Sequence, residues 1–314
     1  AGHGDRCGGY PAGLCHCATE SYAAGMGAGI MSKFRIMAVL AHPDDETLGV
    51  GGTLAYYAAQ GARTYLLTAT RGERGWFGPP EANPGPERLG MIRTQELVNA
   101  ATALNIYDLA FLDYLDGDLD KADAAAVISQ IVIHIRRARP QVVITFDPYG
   151  LYGHPDHIAI AQYTTAAVVA AADRGYPYGG LAHRVSKLYY RVTLPTELQI
   201  YEAAFGRLAM TVDGTERQGV TWPEWAVTTR MDTSVYWKQV WDAVRCHRSQ
   251  LPGYDKLMNL SPAQQQALFS TESYYRAFSL VNGGRRTETD LFTDIRVDSI
   301  LETQELVRAL LTGL

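Results

Sequence analysis

From Phe34 to about Arg191 the chain alternates short, continuous apolar runs with longer stretches whose apolar residues recur every three or four positions. Phe34 to Leu40 is apolar almost throughout, the pattern of a strand buried on both faces. Thr64 to Thr70, Ala110 to Leu112, Val142 to Phe146 and Leu188 to Val192 predict further strands. Helices are predicted between them near 47–60, 87–104, 121–138 and 155–173. In the third, Ile128, Ile131, Val132 and Ile135 fall at i, i+3, i+4 and i+7, one apolar face, and Pro140 ends it.

Strand–helix alternation of this kind predicts an α/β fold, Rossmann-like, with a mainly parallel sheet covered by helices on both faces. Ligands of such sheets bind beyond the carboxyl ends of the strands. The places to search are therefore the segments after Leu40, Thr70, Leu112 and Phe146, and all four hold polar clusters. Residues 195–230 have weaker periodicity and contain Pro195, Trp222, Pro223 and Trp225, which fits a lid, a subunit contact or a plain surface excursion. A helix is expected over 234–248 and mixed structure over 251–294. With no internal repeat and no linker, one domain over 31–314 is expected. It would comprise an α/β core (31–195) and a C-terminal region (196–314) that caps or completes it.

Composition narrows the function classes. A chain of 314 residues, 47% hydrophobic, can bury a core that needs neither disulfides nor a structural metal. A net charge of -5 and the absence of any five-residue basic run argue against nucleic acid as a partner. The most apolar stretch, Ile158 to Ala172, is broken by Gln162, Tyr163, Thr164 and Thr165, so a core helix is expected rather than a membrane span. Residues 1–30 are Gly- and Ala-rich and lack the apolar run of a secretory signal; Met31-Ser32-Lys33 looks like a natural start, and a disordered or appended leader is expected before it. Cys7, Cys15 and Cys17 lie there with His3 and His16, but Cys15-His16-Cys17 is tighter than zinc-knuckle spacing. Cys246 alone in the body suggests a reducing cytoplasm.

Two clusters carry chemistry. The first strand runs into Ala41-His42-Pro43-Asp44-Asp45-Glu46, followed by Gly49, Gly51 and Gly52. Placing a His and three acids at a strand exit costs desolvation, and His and carboxylate are the donors that suit zinc and related metals. The plainer reading is an Asp helix cap with an incidental His. The fourth strand runs into Asp147-Pro148-Tyr149 and then Tyr152-Gly153-His154-Pro155-Asp156-His157. A parallel sheet brings the two exits together, and paired caps do not explain both. A catalytic metal wants three protein ligands and one open position, which His42, Asp45 and one of the two later His would supply. The glycines are not a dinucleotide fingerprint, since they lack its spacing and sit among acids.

Ala41 to Glu46 together with His154 to His157 resemble the paired motifs of the PIG-L/LmbE family of zinc-dependent N-acetylglucosamine deacetylases, over about residues 31–250. Tyr149 to Gly153 is similar to the branch acting on GlcNAc-inositol and its mycothiol-conjugate amidase relatives. The resemblance implies His42, Asp45 and His157 as metal ligands, Asp44 as general base and His154 as the residue assisting the tetrahedral intermediate or the leaving amine. Zinc is implied, with Fe2+ acceptable to the same donors. The chemistry fits: a metal polarises the carbonyl and activates water, a neighbouring carboxylate takes its proton, and a His cation stabilises charge. Tyr152 would add a hydrogen bond to the oxyanion, or only pack beside the loop. Glu73, Arg93 and Asp116 match positions that contact the sugar. Their plainer readings are a loop acid, a helix Arg paired with Glu87 or Glu96, and a turn residue before Gly117. His247 is expected to support the site without ligating. His134 and His183 are set aside as helix or surface residues, and Cys246 has no partner set for a cysteine hydrolase.

The expected partner is thus a small-molecule amino sugar, with homo-oligomerisation left open. An amidase of thiol conjugates would use the same metal site. A non-catalytic sugar binder would lose the general base or keep a fourth protein ligand, and a two-metal phosphoesterase would want more bridging carboxylates.

Overall fold

The computed structural model describes residues 31–284 and 286–296, so the expected leader lies outside the described residues. Five strands run parallel: β1 (Arg35–Leu40), β2 (Arg63–Thr70), β3 (Asp108–Tyr114), β4 (Val142–Phe146) and β5 (Lys187–Val192). The helices α1 (Asp45–Ala59), α2 (Pro86–Ala103), α3 (Ala124–Ala138) and α4 (Pro155–Ala172) join them. The continuous apolar runs of β1 and β4 are buried along nearly their whole length, as strands covered on both faces require. Asp123 caps α3 by accepting a hydrogen bond from the N–H of Ala125 at 3.0 Å, which starts the helix three residues later than expected.

The sheet order is β3-β2-β1-β4-β5-β9-β8. The last two strands, β8 (Thr229–Asp232) and β9 (Thr271–Ser279), are antiparallel and come from the C-terminal region, which therefore completes the sheet. Between β5 and β8 lie α5 (Pro195–Phe205) and the hairpin β6 (Ala209–Val212) and β7 (Thr215–Gln218). Then follow α6 (Trp237–Val244) and α7 (Pro262–Leu268). The apolar stripe of α6 buries Val240, Ala243 and Val244 against Ala55 of α1 and Ala100 of α2, a second core beside the sheet. No described helix is long and apolar enough to cross a membrane.

Strand order reverses between β1 and β4, which pair directly with Ile36 opposite Val142 and Ala38 opposite Ile144. The crevice beyond their carboxyl ends is where an open α/β sheet accepts a ligand. Both polar clusters emerge there.

Candidate active site

Leaving β1, the chain is tied to its neighbour: the Ala41 carbonyl accepts from Thr70 N–H at 3.0 Å and from the Thr70 hydroxyl at 3.1 Å. Asp44 then caps α1 with φ 111°, a left-handed conformation that a non-glycine residue adopts only when its surroundings over-determine it. Its own N–H donates to Glu46 Oε2 at 2.9 Å, and its carbonyl accepts from the N–H groups of Thr47 and Leu48, each at 3.0 Å. Its carboxylate Oδ2 accepts from Arg93 Nη2 at 3.1 Å and from the Tyr254 hydroxyl at 2.8 Å. One oxygen of Asp44 is thereby fixed from two sides.

His42, Asp45 and His157 meet at the mouth of this crevice. His42 Nδ1 is 3.2 Å from His157 Nε2; Asp45 Oδ1 lies 3.4 Å from His157 Nε2, and Asp45 Oδ2 lies 3.7 Å from His42 Nδ1. Ligands about 2.0–2.1 Å from a tetrahedral metal stand roughly 3.3 Å from one another. The two imidazole nitrogens have that spacing, and each is approached by a different oxygen of Asp45. Burial, and then the neighbouring His42 and His154, hold His157 well below its ordinary value, leaving it a neutral imidazole with a lone pair. Burial pushes the Asp45 carboxyl up to about 7 against the pull of His42, the signature of a buried carboxylate short of positive charge. The His157 ring stacks on Phe146 at 4.0 Å and 5°. Gly150, at φ +69°, passes so close that a Cβ there would meet the His157 Cβ at 2.6 Å.

The far nitrogen of His42 faces carboxylates. Its Nε2 is 3.1 Å from Asp156 Oδ2 and 3.2 Å from Asp116 Oδ1. Asp156 is fully buried and also accepts from Gly117 N–H at 2.7 Å and Leu119 N–H at 3.1 Å. Burial lowers the His42 imidazole's pKa, but its hydrogen bonds to Asp116 and Asp156 outweigh that and hold it well above its ordinary value. With the Nε2 proton engaged by these acids, Nδ1 is the nitrogen left to turn toward a metal beside Asp45 and His157. Among the described residues, two groups bring possible metal-binding atoms within 4.8 Å of one another: His42 with His154 and His157, and His42 with Asp116 and Asp156. The second group uses the side of the ring already spent on hydrogen bonds.

His154 caps α4, its Nδ1 accepting from Asp156 N–H at 3.1 Å. That bond makes Nδ1 the acceptor and leaves the proton on Nε2. Burial, then His42, pushes His154 down to about 4, so the structure holds a neutral donor where the sequence suggested a cation. The Tyr152 ring lies 5.1 Å from that of His157, and burial followed by Asp45 and Asp44 raises its phenol well above the ordinary value, keeping it a hydrogen-bond donor. His42, Asp44, Asp45, Tyr152, His154 and His157 line one cavity of ≈ 470 Å³.

The sequence profile described as "PIG-L: GlcNAc-PI de-N-acetylase" matches residues 37–168. A 1D-myo-inositol 2-acetamido-2-deoxy-alpha-D-glucopyranoside deacetylase of Kineococcus radiotolerans is 37% identical, over 84% of this chain and 84% of its own length. An enzyme of the same name from Thermobifida fusca is 35% identical, over 83% of this chain and its whole length. The chain belongs to the PIG-L family. Among solved structures, a conserved protein of Thermus thermophilus superposes with a TM-score of 0.55 at 26% identity, covering 79% of this chain and 96% of that one.

Within this PIG-L site, two of the three residues expected on the sugar, Arg93 and Asp116, line the cavity, and all three also make hydrogen bonds inside the protein. Arg93, buried on α2, gives Nη1 to the Gly72 carbonyl at 2.9 Å and Nη2 to Asp44 and the Pro43 carbonyl; Glu96 is not its partner but binds the N–H and hydroxyl of Ser249. Asp116 lines the cavity, with one oxygen on His42 and the other on Arg74 N–H at 3.0 Å. Glu73 is absent from the cavity lining, because its carboxylate accepts from Asp116 N–H at 2.9 Å and Arg71 N–H at 3.2 Å and so fastens two loops together. His247 Nε2 sits 2.7 Å from Glu46 Oε1, both fully buried, and Glu46 in turn holds the Asp44 backbone. His183 turns to the Pro140 carbonyl, and His134 sits beside Arg137 on α3.

Sequence reasoning passed over Asp156, Glu46 and Tyr254. Asp156 was given no role of its own between His154 and His157, although a charged side chain in the first turn of an apolar helix was a usable signal. Asp156→Asn is expected to weaken metal affinity roughly 10–100-fold, because it loosens the orientation of His42 without removing a ligand. Titrating metal into the apo-protein checks this; unchanged affinity would remove Asp156 from that role.

Proposed function

We propose that this protein hydrolyses the N-acetyl amide of an N-acetylglucosamine-containing substrate, GlcNAc-inositol foremost, to the free amine and acetate, using a zinc-type ion held by His42, Asp45 and His157. The observation that carries this is the donor triangle at the cavity, beside an Asp44 carboxylate that has one oxygen pinned and the other unspent. The names of the Kineococcus and Thermobifida relatives support the substrate. A cavity of ≈ 470 Å³ is within the range of small-molecule sites.

A bound ion polarises the acetyl carbonyl and makes water acidic enough to react near neutral pH. Asp44 takes the proton as the water oxygen bonds to the acetyl carbon, and that proton passes to the nitrogen as the C–N bond breaks. Arg93 and Tyr254 keep the Asp44 carboxylate aimed through the cycle. The Tyr152 hydroxyl and the Nε2–H of neutral His154 donate to the oxygen on which negative charge develops. Gln250 lies buried in the cavity wall; its amide N–H groups reach the Gly75 carbonyl and the Ser249 hydroxyl, while its carbonyl oxygen has no partner in the protein and suits a sugar hydroxyl.

The deciding measurement is acetate release from GlcNAc-inositol and from free N-acetylglucosamine, beside release of the cysteine conjugate from a glucosaminyl-inositol whose amine is acylated by an S-conjugated N-acetylcysteine. GlcNAc-inositol is expected to show the highest kcat/KM. Faster cleavage of the conjugate's own amide would move the assignment to the amidase reading, and acetate from none of them would reject hydrolysis of the amino-sugar amide.

A further inference from the structure

The loop 147–154 between β4 and α4 carries both Tyr152 and His154, and its backbone is unusual. Gly150, Leu151 and Gly153 all have positive φ, at 69°, 65° and 82°. Leu151, at φ 65° and ψ -50°, lacks glycine's freedom and persists in that conformation only if its surroundings impose it. What imposes it comes largely from the region between β5 and β8. The Leu151 carbonyl accepts from Val220 N–H at 2.9 Å, and the Gly153 carbonyl from Arg217 Nη1 at 2.9 Å. The Leu151 N–H donates to Asp147 Oδ1 at 2.9 Å, while the other oxygen of that buried carboxylate accepts from Trp222 Nε1 at 2.6 Å. Trp222 is itself fixed, its backbone N–H on the Thr193 carbonyl at 2.9 Å and its ring 5.1 Å from that of Tyr275.

The same segment forms a wall of the substrate cavity through Leu208, Met210 and Val220. One short stretch of chain therefore faces the part of the substrate away from the metal and also clamps the residues on either side of Tyr152.

We infer that Trp222 is a positioning residue for this reaction: through Asp147 it sets the 147–154 loop, and so places the Tyr152 hydroxyl on the developing oxyanion. The inference rests on the deacetylase reading and adds a role for a segment that reading does not use. In this arrangement, contacts to the group attached to the sugar hold the wall that holds Tyr152. Binding energy gained far from the amide is then expressed in kcat rather than in KM alone. Trp222 touches neither substrate nor metal donors.

The test is a double-mutant cycle on the zinc-loaded full chain with Trp222→Phe, Tyr152→Phe and the pair, measuring kcat and KM on GlcNAc-inositol. Trp222→Phe keeps an aromatic ring near Tyr275 but removes the N–H donor together with the five-membered ring that carries it. Alone it is expected to lower kcat roughly 10- to 100-fold with little change in KM, the scale of a misplaced catalytic group. In the Tyr152→Phe background it is expected to cost almost nothing, because the hydroxyl it positions is gone. Additive losses, or a change confined to KM, would overturn the inference. Arg217→Met, which cuts the bond to Gly153 at a partly exposed residue, repeats the cycle if Trp222→Phe fails to fold, with the same non-additivity expected. Fluorine NMR of fluorotyrosine-labelled protein gives a reading independent of turnover. The resonance that Tyr152→Phe removes is expected to shift or broaden in Trp222→Phe, and an unmoved resonance also overturns the inference. Absence of acetate from the unaltered protein would defeat the deacetylase reading instead, and the resonance would still decide the positioning.

Discussion

Chelation is expected to abolish acetate release, and zinc added back to restore it, while His157→Ala leaves a protein that zinc no longer rescues. The reason lies in the triangle of His42 Nδ1, His157 Nε2 and Asp45, with edges of 3.2, 3.4 and 3.7 Å. Two imidazole nitrogens at that separation have no proton to share if both are acceptors, and a cation between them and the Asp45 carboxylate resolves the arrangement. An ion is worth several kcal/mol of charge stabilisation, and each 1.36 kcal/mol is tenfold in rate, so the loss should be about 10³-fold or more. Metal analysis beside the acetate assay separates the outcomes. A His157→Ala protein that keeps stoichiometric zinc would shift the ligand set toward the other cluster, His42 with Asp116 and Asp156. Full activity in the chelated, metal-free protein would end the metal reading altogether.

Much of this was legible in the chain because the two informative segments break a strong local rule. A buried parallel strand that runs into His and acids is costly unless they are used; β1 does so at once, and β4 through Asp147 and then His154, Asp156 and His157. Parallel α/β order can bring the two exits together, and the reversal of strand order between β1 and β4 does so. What the chain does not display is which oxygen or nitrogen of each side chain remains free. Arg93, Asp116 and Glu73 were expected on the sugar because the family resemblance implies it. The structure spends part of each on Asp44, His42 and the backbone of a neighbouring loop, while Arg93 and Asp116 still line the cavity. That expenditure depends on contacts across tens of residues, such as Asp116 N–H to Glu73, which no periodicity encodes. Residues 195–230 were opaque for the same reason. Their weak pattern belongs to a cavity wall that is fastened to Leu48, Leu151 and Gly153 through Tyr201, Val220 and Arg217. The pairing of Glu46 with His247 was half visible: His247 was expected to support the site, but Glu46 looked like one more acid at a helix start.

Asp44→Asn should separate catalysis from metal binding. In the folded protein Asp44 Oδ2 is held by Arg93 and Tyr254, and its left-handed backbone by Glu46, so the side chain has a defined orientation before substrate arrives. Asparagine can keep that orientation, because its one carbonyl oxygen accepts the same two hydrogen bonds. Its amide NH2 group then takes the place of Oδ1, and an amide nitrogen cannot take a proton from water. General-base removal of this kind is expected to lower kcat by about 10²–10⁴-fold, with KM nearly unchanged and metal content equal to that of the unaltered protein. Tyr254→Phe should fall between, since it frees one of the two bonds on Oδ2 and leaves the base itself intact. If Asp44→Asn instead loses its metal, Asp44 is a ligand and Asp45 cannot be the only carboxylate in the set. Retention of both metal and rate would place the proton acceptor elsewhere, and the other carboxylates lining the cavity among the described residues, Asp45 and Asp116, already face His42.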